Sequence, residues 1–215
     1  GVATTAMKAL PVIVTRRQVE GKENVPRTGP LVIVSNHLNL IDPPLLSASI
    51  PRRINFMAKQ ELFRTPMSRI VVPAYGAFPV KRGQLDREAL RRALEQLQEG
   101  LVLGMFPEGK RSPNTQLQSA QPGASLLAVR TGVPILPVGI SGSEQVGGIG
   151  FVLHRPQITV TIGRPFLLPS AGDKTTRSKL AQHSDLIMER IAELLPESYR
   201  GVYRLRGGLR SDNGD

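Results

Sequence analysis

The sequence predicts an α/β protein: a single domain in which a mixed, mostly parallel sheet is flanked by helices. Three observations support this. Short runs rich in apolar and β-branched residues recur at 31–34, 54–59, 101–106, 135–140 and 157–162, each of a length suited to a buried strand. Helical patterns lie between them, so β, α and β alternate as in a sheet built from crossover connections. A chain of 215 residues with 40% hydrophobic content can bury one sizeable core, and a second full domain is not expected. Residues 1–200 are assigned to that domain, and 201–215, rich in Arg and Gly, to a basic, flexible tail.

Taken in order, the apolar run Ala9-Leu10-Pro11-Val12-Ile13-Val14, closed by Arg16 and Arg17, reads as an edge strand or packed arm. Pro26, Gly29 and Pro30 make a turn-rich approach to the strand at 31–34. Asp42-Pro43-Pro44 is a helix start, with Asp as a favoured cap and Pro tolerated in the first turn, and Pro51 stops that helix near residue 50. Residues 54–59 form the next strand, and 61–72 an amphipathic helix interrupted near Pro66. A short strand within 76–83 ends on Lys81 and Arg82. The clearest helix covers 86–98, with Leu90, Ala93, Leu94 and Leu97 on one face and Gly100 as its stop. Pro122 opens a helix that Gly132 closes, and 179–195 is the last helix.

Charge and composition narrow the partners. Twenty-eight Lys and Arg against 17 Asp and Glu give a net charge of +11, a surface that attracts anions. Aromatics are only 4% and Trp is absent, which leaves few stacking platforms, so nucleic acid is not the expected partner. Basic residues recur beside apolar ones at 8–17 and 52–69, a pattern that suits a membrane surface. No run of about 18 apolar residues occurs. The chain opens on Gly1 rather than Met, which leaves room for an upstream membrane anchor. Cysteine is absent, so neither a disulfide nor a thiolate nucleophile is available.

Two clusters carry chemistry. His37 leaves the strand at 31–34 and Asp42 starts the following helix. Five residues apart, they face different ways on a continuous helix, so they must meet across a turn. The carboxylate can then accept from one ring nitrogen and leave the other free as a base. That is two-thirds of a hydrolase triad without a protein nucleophile, and the simplest inference is that a substrate hydroxyl or amine fills the third place. The second cluster is Phe106-Pro107-Glu108-Gly109-Lys110-Arg111-Ser112, where Lys110, Arg111 and backbone amides can hold a phosphate beside a permissive glycine. Gly104 to Lys110 also fits the opening of a P-loop, but Arg111 stands where its magnesium-binding hydroxyl belongs, and Pro113 replaces the helix start. Ser141 lacks the second glycine of a nucleophile elbow. His154 and His183 have no metal-ligand spacing and are read as surface residues.

In order along the chain, Asn36-His37 with Asp42, Gly76 to Gly83 (GAFPVKRG), Phe106 to Ser112 (FPEGKRS) and Val133-Pro134-Ile135-Leu136-Pro137 resemble the four sequence blocks of the glycerolipid acyltransferase family. The resemblance covers a motif core at 31–165. It implies a glycerol-phosphate-acyltransferase-like fold and transfer of a fatty acyl group from acyl-CoA or acyl-carrier protein to the free hydroxyl of 1-acyl-glycerol-3-phosphate. By the same resemblance His37 is the general base and Asp42 its orienting partner. Arg82 holds the acceptor phosphate, Glu108, Gly109 and Arg111 surround the acceptor, and Asn36, Lys81, Lys110 and Ser112 support them. Val133, Pro134, Ile135 and Pro137 line the acyl side. No metal and no tightly bound cofactor is expected, since a thioester is already activated. The expected partners are an anionic lysolipid, a membrane surface and acyl-carrier protein. The expected location is peripheral or monotopic, on the cytoplasmic face of a bacterial membrane. Lys110 stands where the family often has a small hydroxyl residue, and Ala120 to Gly123 where many members have an aromatic residue and a lysine. The rival readings are an acyltransferase for another lipid acceptor, and a basic membrane-binding or nucleic-acid-binding protein without catalysis.

Overall fold

The structure is a computed structural model of the chain and describes residues 15–64, 76–80, 86–147, 155–169 and 176–204. The expected arm at 9–14, most of the helix at 61–72, Lys81, Arg82, His154 and the tail from 205 lie outside the described residues.

Seven strands form one sheet in the order β1-β7-β6-β2-β5-β3-β4. They are β1 (Arg16–Glu20), β2 (Leu31–Ser35), β3 (Ile54–Lys59), β4 (Phe78–Val80), β5 (Val102–Met105), β6 (Ile135–Ser141) and β7 (Gln157–Ile162). Among the described pairings only β6 with β7 is antiparallel, so the sheet is mixed and mostly parallel, as the alternating pattern predicts. Strand β2 lies between β5 and β6 and is buried along its whole length, which explains why it is apolar at consecutive rather than alternate positions.

Alternation of side chains across β2 divides the interior into two layers. Val32 and Val34 join Leu103 and Ile135 on one face, beneath α2 (Arg87–Gln98), α3 (Gly123–Thr131) and α4 (Arg177–Ala192). Leu31 and Ile33 point the other way, onto Leu45 and Leu46 of α1 (Asp42–Ser49). Helix α2 begins where Asp86 accepts a hydrogen bond from Ala89 N at 3.1 Å, and Thr176 caps α4 through Lys179 N.

Two expectations change. His183 is only 9% exposed, because it shares the buried face of α4 with Ile187 and Ile191, one and two helical turns on. Packing also continues past residue 200: Tyr203 is 3% exposed and belongs to the main core cluster.

Candidate active site

Strands β3, β5, β2 and β6 are parallel neighbours, so their carboxyl ends open on one edge of the sheet, where ligands bind in this architecture. Just beyond β2 the ladder to β6 is replaced by a side chain. Asn36 donates from Nδ2 to the carbonyl of Ile140 and accepts its N–H on Oδ1, both at 2.8 Å. The amide thus mimics one more residue of strand pairing and fixes where the chain leaves the sheet. His37 follows, with its ring stacked on Phe106 at a centroid distance of 4.1 Å and an angle of 21°. Phe106 in turn lies 6.2 Å from the ring of Phe56. Phe56 reaches across β5 because its paired residue there is Gly104, where a Cβ would come within 2.4 Å of the ring.

The pair expected across a turn is formed. His37 Nδ1 lies 2.8 Å from Asp42 Oδ2, and Leu38 N and Asn39 N each donate to that same oxygen at 2.7 Å. Nδ1 therefore carries the proton, and Nε2, which no described residue hydrogen-bonds, keeps its lone pair. The side chain of His37 retains 9% of its surface while Asp42 has none. Asp42 is not the cap foreseen for α1. Ile41 occupies that place and no side chain caps the helix, because Asp42 Oδ2 is committed to three donors in the loop before it. The other oxygen, Oδ1, is buried with no partner among the described residues.

The second cluster clamps the backbone of His37. Glu108 Oε1 accepts from His37 N at 3.1 Å, Glu108 Oε2 accepts from Gln118 N at 3.0 Å, and Ser112 N donates to the His37 carbonyl at 2.7 Å. Gly109 turns the chain at φ 72° between Glu108 and Lys110. Burial raises Glu108 to about 7, reinforced by the charge of Asp42 and opposed by its two amide donors and Lys110. The carboxyl is thus a bracket for the base, 3% exposed.

Lys110 and Arg111 are exposed on this edge without a hydrogen-bond or ion-pair partner among the described residues, and Ser112 turns its hydroxyl to Asn114 and the Gln116 carbonyl. Arg82 and Lys81 lie outside the described residues. The fourth block, expected on the acyl side, lies toward the start of β6. Val133 and Ile135 sit in the core, Ile135 pairs with Val32 near the opposite end of β2, and the carbonyls of Pro134 and Pro137 accept from Val32 N and Gly163 N. Val133 and Pro134 precede β6 and Ile135 opens it, whereas it is Ile140, near that strand's end, that touches the site. Phe106, Asn39 and Gln118 also belong to the site. Phe106 was legible as the apolar residue just past β5 and two before Glu108, whereas Gln118 acts through its backbone and left no mark in its residue type. No cluster of three or more His, Asp or Glu fit to hold a metal occurs among the described residues.

A paired imidazole with one free nitrogen, its backbone fixed at both N–H and carbonyl and with no hydroxyl on its ring among the described residues, is equipped to deprotonate a bound hydroxyl. The comparisons agree with that chemistry. A sequence model of the Acyltransferase family matches residues 16–141. The 1-acyl-sn-glycerol-3-phosphate acyltransferase LPAT1, chloroplastic, of Arabidopsis thaliana is 33% identical over 78% of this chain and 49% of its own length. The 1-acyl-sn-glycerol-3-phosphate acyltransferase of Bacillus subtilis is 28% identical over 86% of this chain and 93% of its own. The chain spans about half the length of the plant relatives it matches. The crystal structure of the 1-acyl-sn-glycerophosphate acyltransferase PlsC from Thermotoga maritima superimposes with a TM-score of 0.65 at 26% identity, covering 86% of this chain and 76% of that one. With the family model matching more than half of its length, the chain belongs to the acyltransferase family.

Proposed function

We propose that the chain transfers a fatty acyl group from acyl-CoA or acyl-carrier protein to the free hydroxyl of 1-acyl-glycerol-3-phosphate, giving phosphatidic acid. The observation that carries this reading is the 2.8 Å bond from His37 Nδ1 to Asp42 Oδ2, which leaves Nε2 as the base. Nε2 takes the proton of the acceptor hydroxyl as its oxygen attacks the thioester carbonyl carbon. The C–O bond forms, electrons move onto the carbonyl oxygen, and their return breaks the C–S bond. The departing thiolate takes the proton back from His37, so ester and thiol are released and the enzyme is unchanged. Asp42 holds the reactive tautomer and stabilises the transient imidazolium.

The acceptor is read as anionic because Lys110 and Arg111 stand free beside the base and the chain carries a net charge of +11. Arg82 is assigned to the acceptor phosphate, with Gly109 and Arg111 around the glycerol, and Glu108 serves the acceptor indirectly by holding the His37 backbone. The substrate is drawn from a membrane surface, on the cytoplasmic face of a bacterial membrane. In support, Leu40 is 59% exposed in the loop between His37 and Asp42, where an apolar side chain can meet lipid. No helix among the described residues is long and apolar enough to cross a membrane.

The test is a panel of acceptors, namely 1-acyl-glycerol-3-phosphate, glycerol phosphate, neutral lysophospholipids and a lysoglycolipid, each offered with acyl-CoA and with acyl-carrier protein. Fastest thiol release, with phosphatidic acid as the product, is expected for 1-acyl-glycerol-3-phosphate. Preference for another acceptor would replace the substrate while keeping the reaction. Lipid binding without thiol release from any pair would overturn the enzymatic reading.

A further inference from the structure

We infer that Tyr199 is a positioning residue for the acyl transfer, tying together the two loops that hold His37. The inference rests on the function proposed above. Tyr199 lies in the turn after α4, beyond the stretch matched by the family model, which ends at residue 141. Its hydroxyl donates to Glu144 Oε1 at 2.8 Å and accepts from Gly142 N at 3.3 Å. Its carbonyl accepts from Leu117 N at 2.8 Å. One residue therefore grips both the loop after β6 and the loop after β5.

Each loop ends on the catalytic pair. In the loop after β6, the Val146 carbonyl accepts from Asn39 Nδ2 at 2.7 Å, and Asn39 N donates to the Asp42 oxygen that also holds His37 Nδ1. In the loop after β5, Leu117 stands between Gln116, whose carbonyl accepts from the Ser112 hydroxyl, and Gln118, whose N–H holds Glu108. Ser112 N and Glu108 then fasten the carbonyl and N–H of His37. The orienting carboxylate and the backbone of the base thus trace separately to Tyr199. Burial, with the Glu144 carboxylate beside it, pushes the phenol up to about 12, so it remains a donor throughout the working pH range.

Tyr199→Phe removes the hydroxyl and keeps the ring and the carbonyl bond. The expected result is a kcat lower by about tenfold, with KM for acyl-CoA and for 1-acyl-glycerol-3-phosphate within about twofold of the parent. Glu144→Ala should act likewise, Glu144→Gln should lower kcat less than Glu144→Ala, and Tyr199→Phe combined with Glu144→Ala should be no slower than the slower single variant. Amide hydrogen exchange should quicken at 36–42 and 142–147 in Tyr199→Phe, with β2 and β5 unchanged. Parental kcat, a loss confined to KM, or strictly multiplicative losses in the double variant would each overturn the inference. A parent without thiol release would overturn the acyl-transfer reading instead, and exchange at 36–42 and 142–147 would still decide whether the Tyr199 hydroxyl braces the loop after β6 and, through it, the His37–Asp42 turn.

Discussion

Asp42→Asn isolates the charge of the orienting carboxylate at nearly constant shape. Asp42 Oδ2 takes hydrogen bonds from His37 Nδ1, Leu38 N and Asn39 N, so asparagine must turn its oxygen to these three donors; the opposite flip sets an NH2 group against two backbone N–H groups. The NH2 then falls where Oδ1 now lies, buried with no partner among the described residues. An unpaired buried donor, together with weaker hydrogen bonds to a neutral acceptor, costs about 2–4 kcal/mol of stability. The tautomer of His37 survives, but the imidazolium formed during transfer loses its counter-charge. At 2.8 Å and an effective dielectric of about 20, that attraction is about 6 kcal/mol as an upper bound. The amide dipole recovers part of it, leaving a fall in kcat of about a thousandfold, or about 4 kcal/mol. Thiol release from acyl-CoA read with a thiol-reactive dye, beside a thermal melt, measures both quantities. A kcat within tenfold of the parent in a folded variant would refute the role given to the carboxylate.

Three further outcomes follow from the same geometry. Glu108 has a folded-state pKa raised to about 7, so the folded state binds its proton more tightly than the unfolded one. This contribution to stability is full below about pH 4.5 and lost as pH rises through about 7, on the order of 3 kcal/mol in all. Urea midpoints should therefore fall for the parent between about pH 5 and 7.5 relative to Glu108→Gln, and parallel curves would contradict the shift. Gly104→Ala would place its Cβ 2.4 Å from the Phe56 ring, displacing the stack of Phe56, Phe106 and His37. A loss of about 1–3 kcal/mol in stability is expected, with a lower kcat, and a parental melt and kcat would show that the stack is not under pressure there. Arg82→Ala should raise the KM for 1-acyl-glycerol-3-phosphate much more than that for acyl-CoA, whereas equal changes would remove Arg82 from the acceptor phosphate.

Much of this arrangement was legible in the residues. β2 could be read as a buried central strand because Leu31 to Val34 are apolar at every position, as burial on both faces requires. The pairing of His37 with Asp42 followed from the chain reversal that a strand end and a helix start impose. What Asp42 does within α1 was not legible, since an aspartate before two prolines suits a cap, and only the loop's own N–H groups, which no residue type announces, draw its carboxylate away. For Val133 to Pro137 the motif marks a stretch of chain, whereas their distance from His37 depends on register, here Ile135 opposite Val32. His183 could have been placed in the core by counting back in turns from Ile187 and Ile191. Glu108 showed as a carboxylate near cations, whereas its role as a bracket for His37 and Gln118 depends on burial and on two backbone amides.

The central claim is that Nε2 of His37 deprotonates the acceptor. His37→Ala, offered acyl-CoA and 1-acyl-glycerol-3-phosphate in anionic vesicles, tests it most directly, with circular dichroism confirming the fold. Thiol release and phosphatidic acid are both expected to drop to the rate without enzyme, while near-parental turnover in the folded variant would contradict the account.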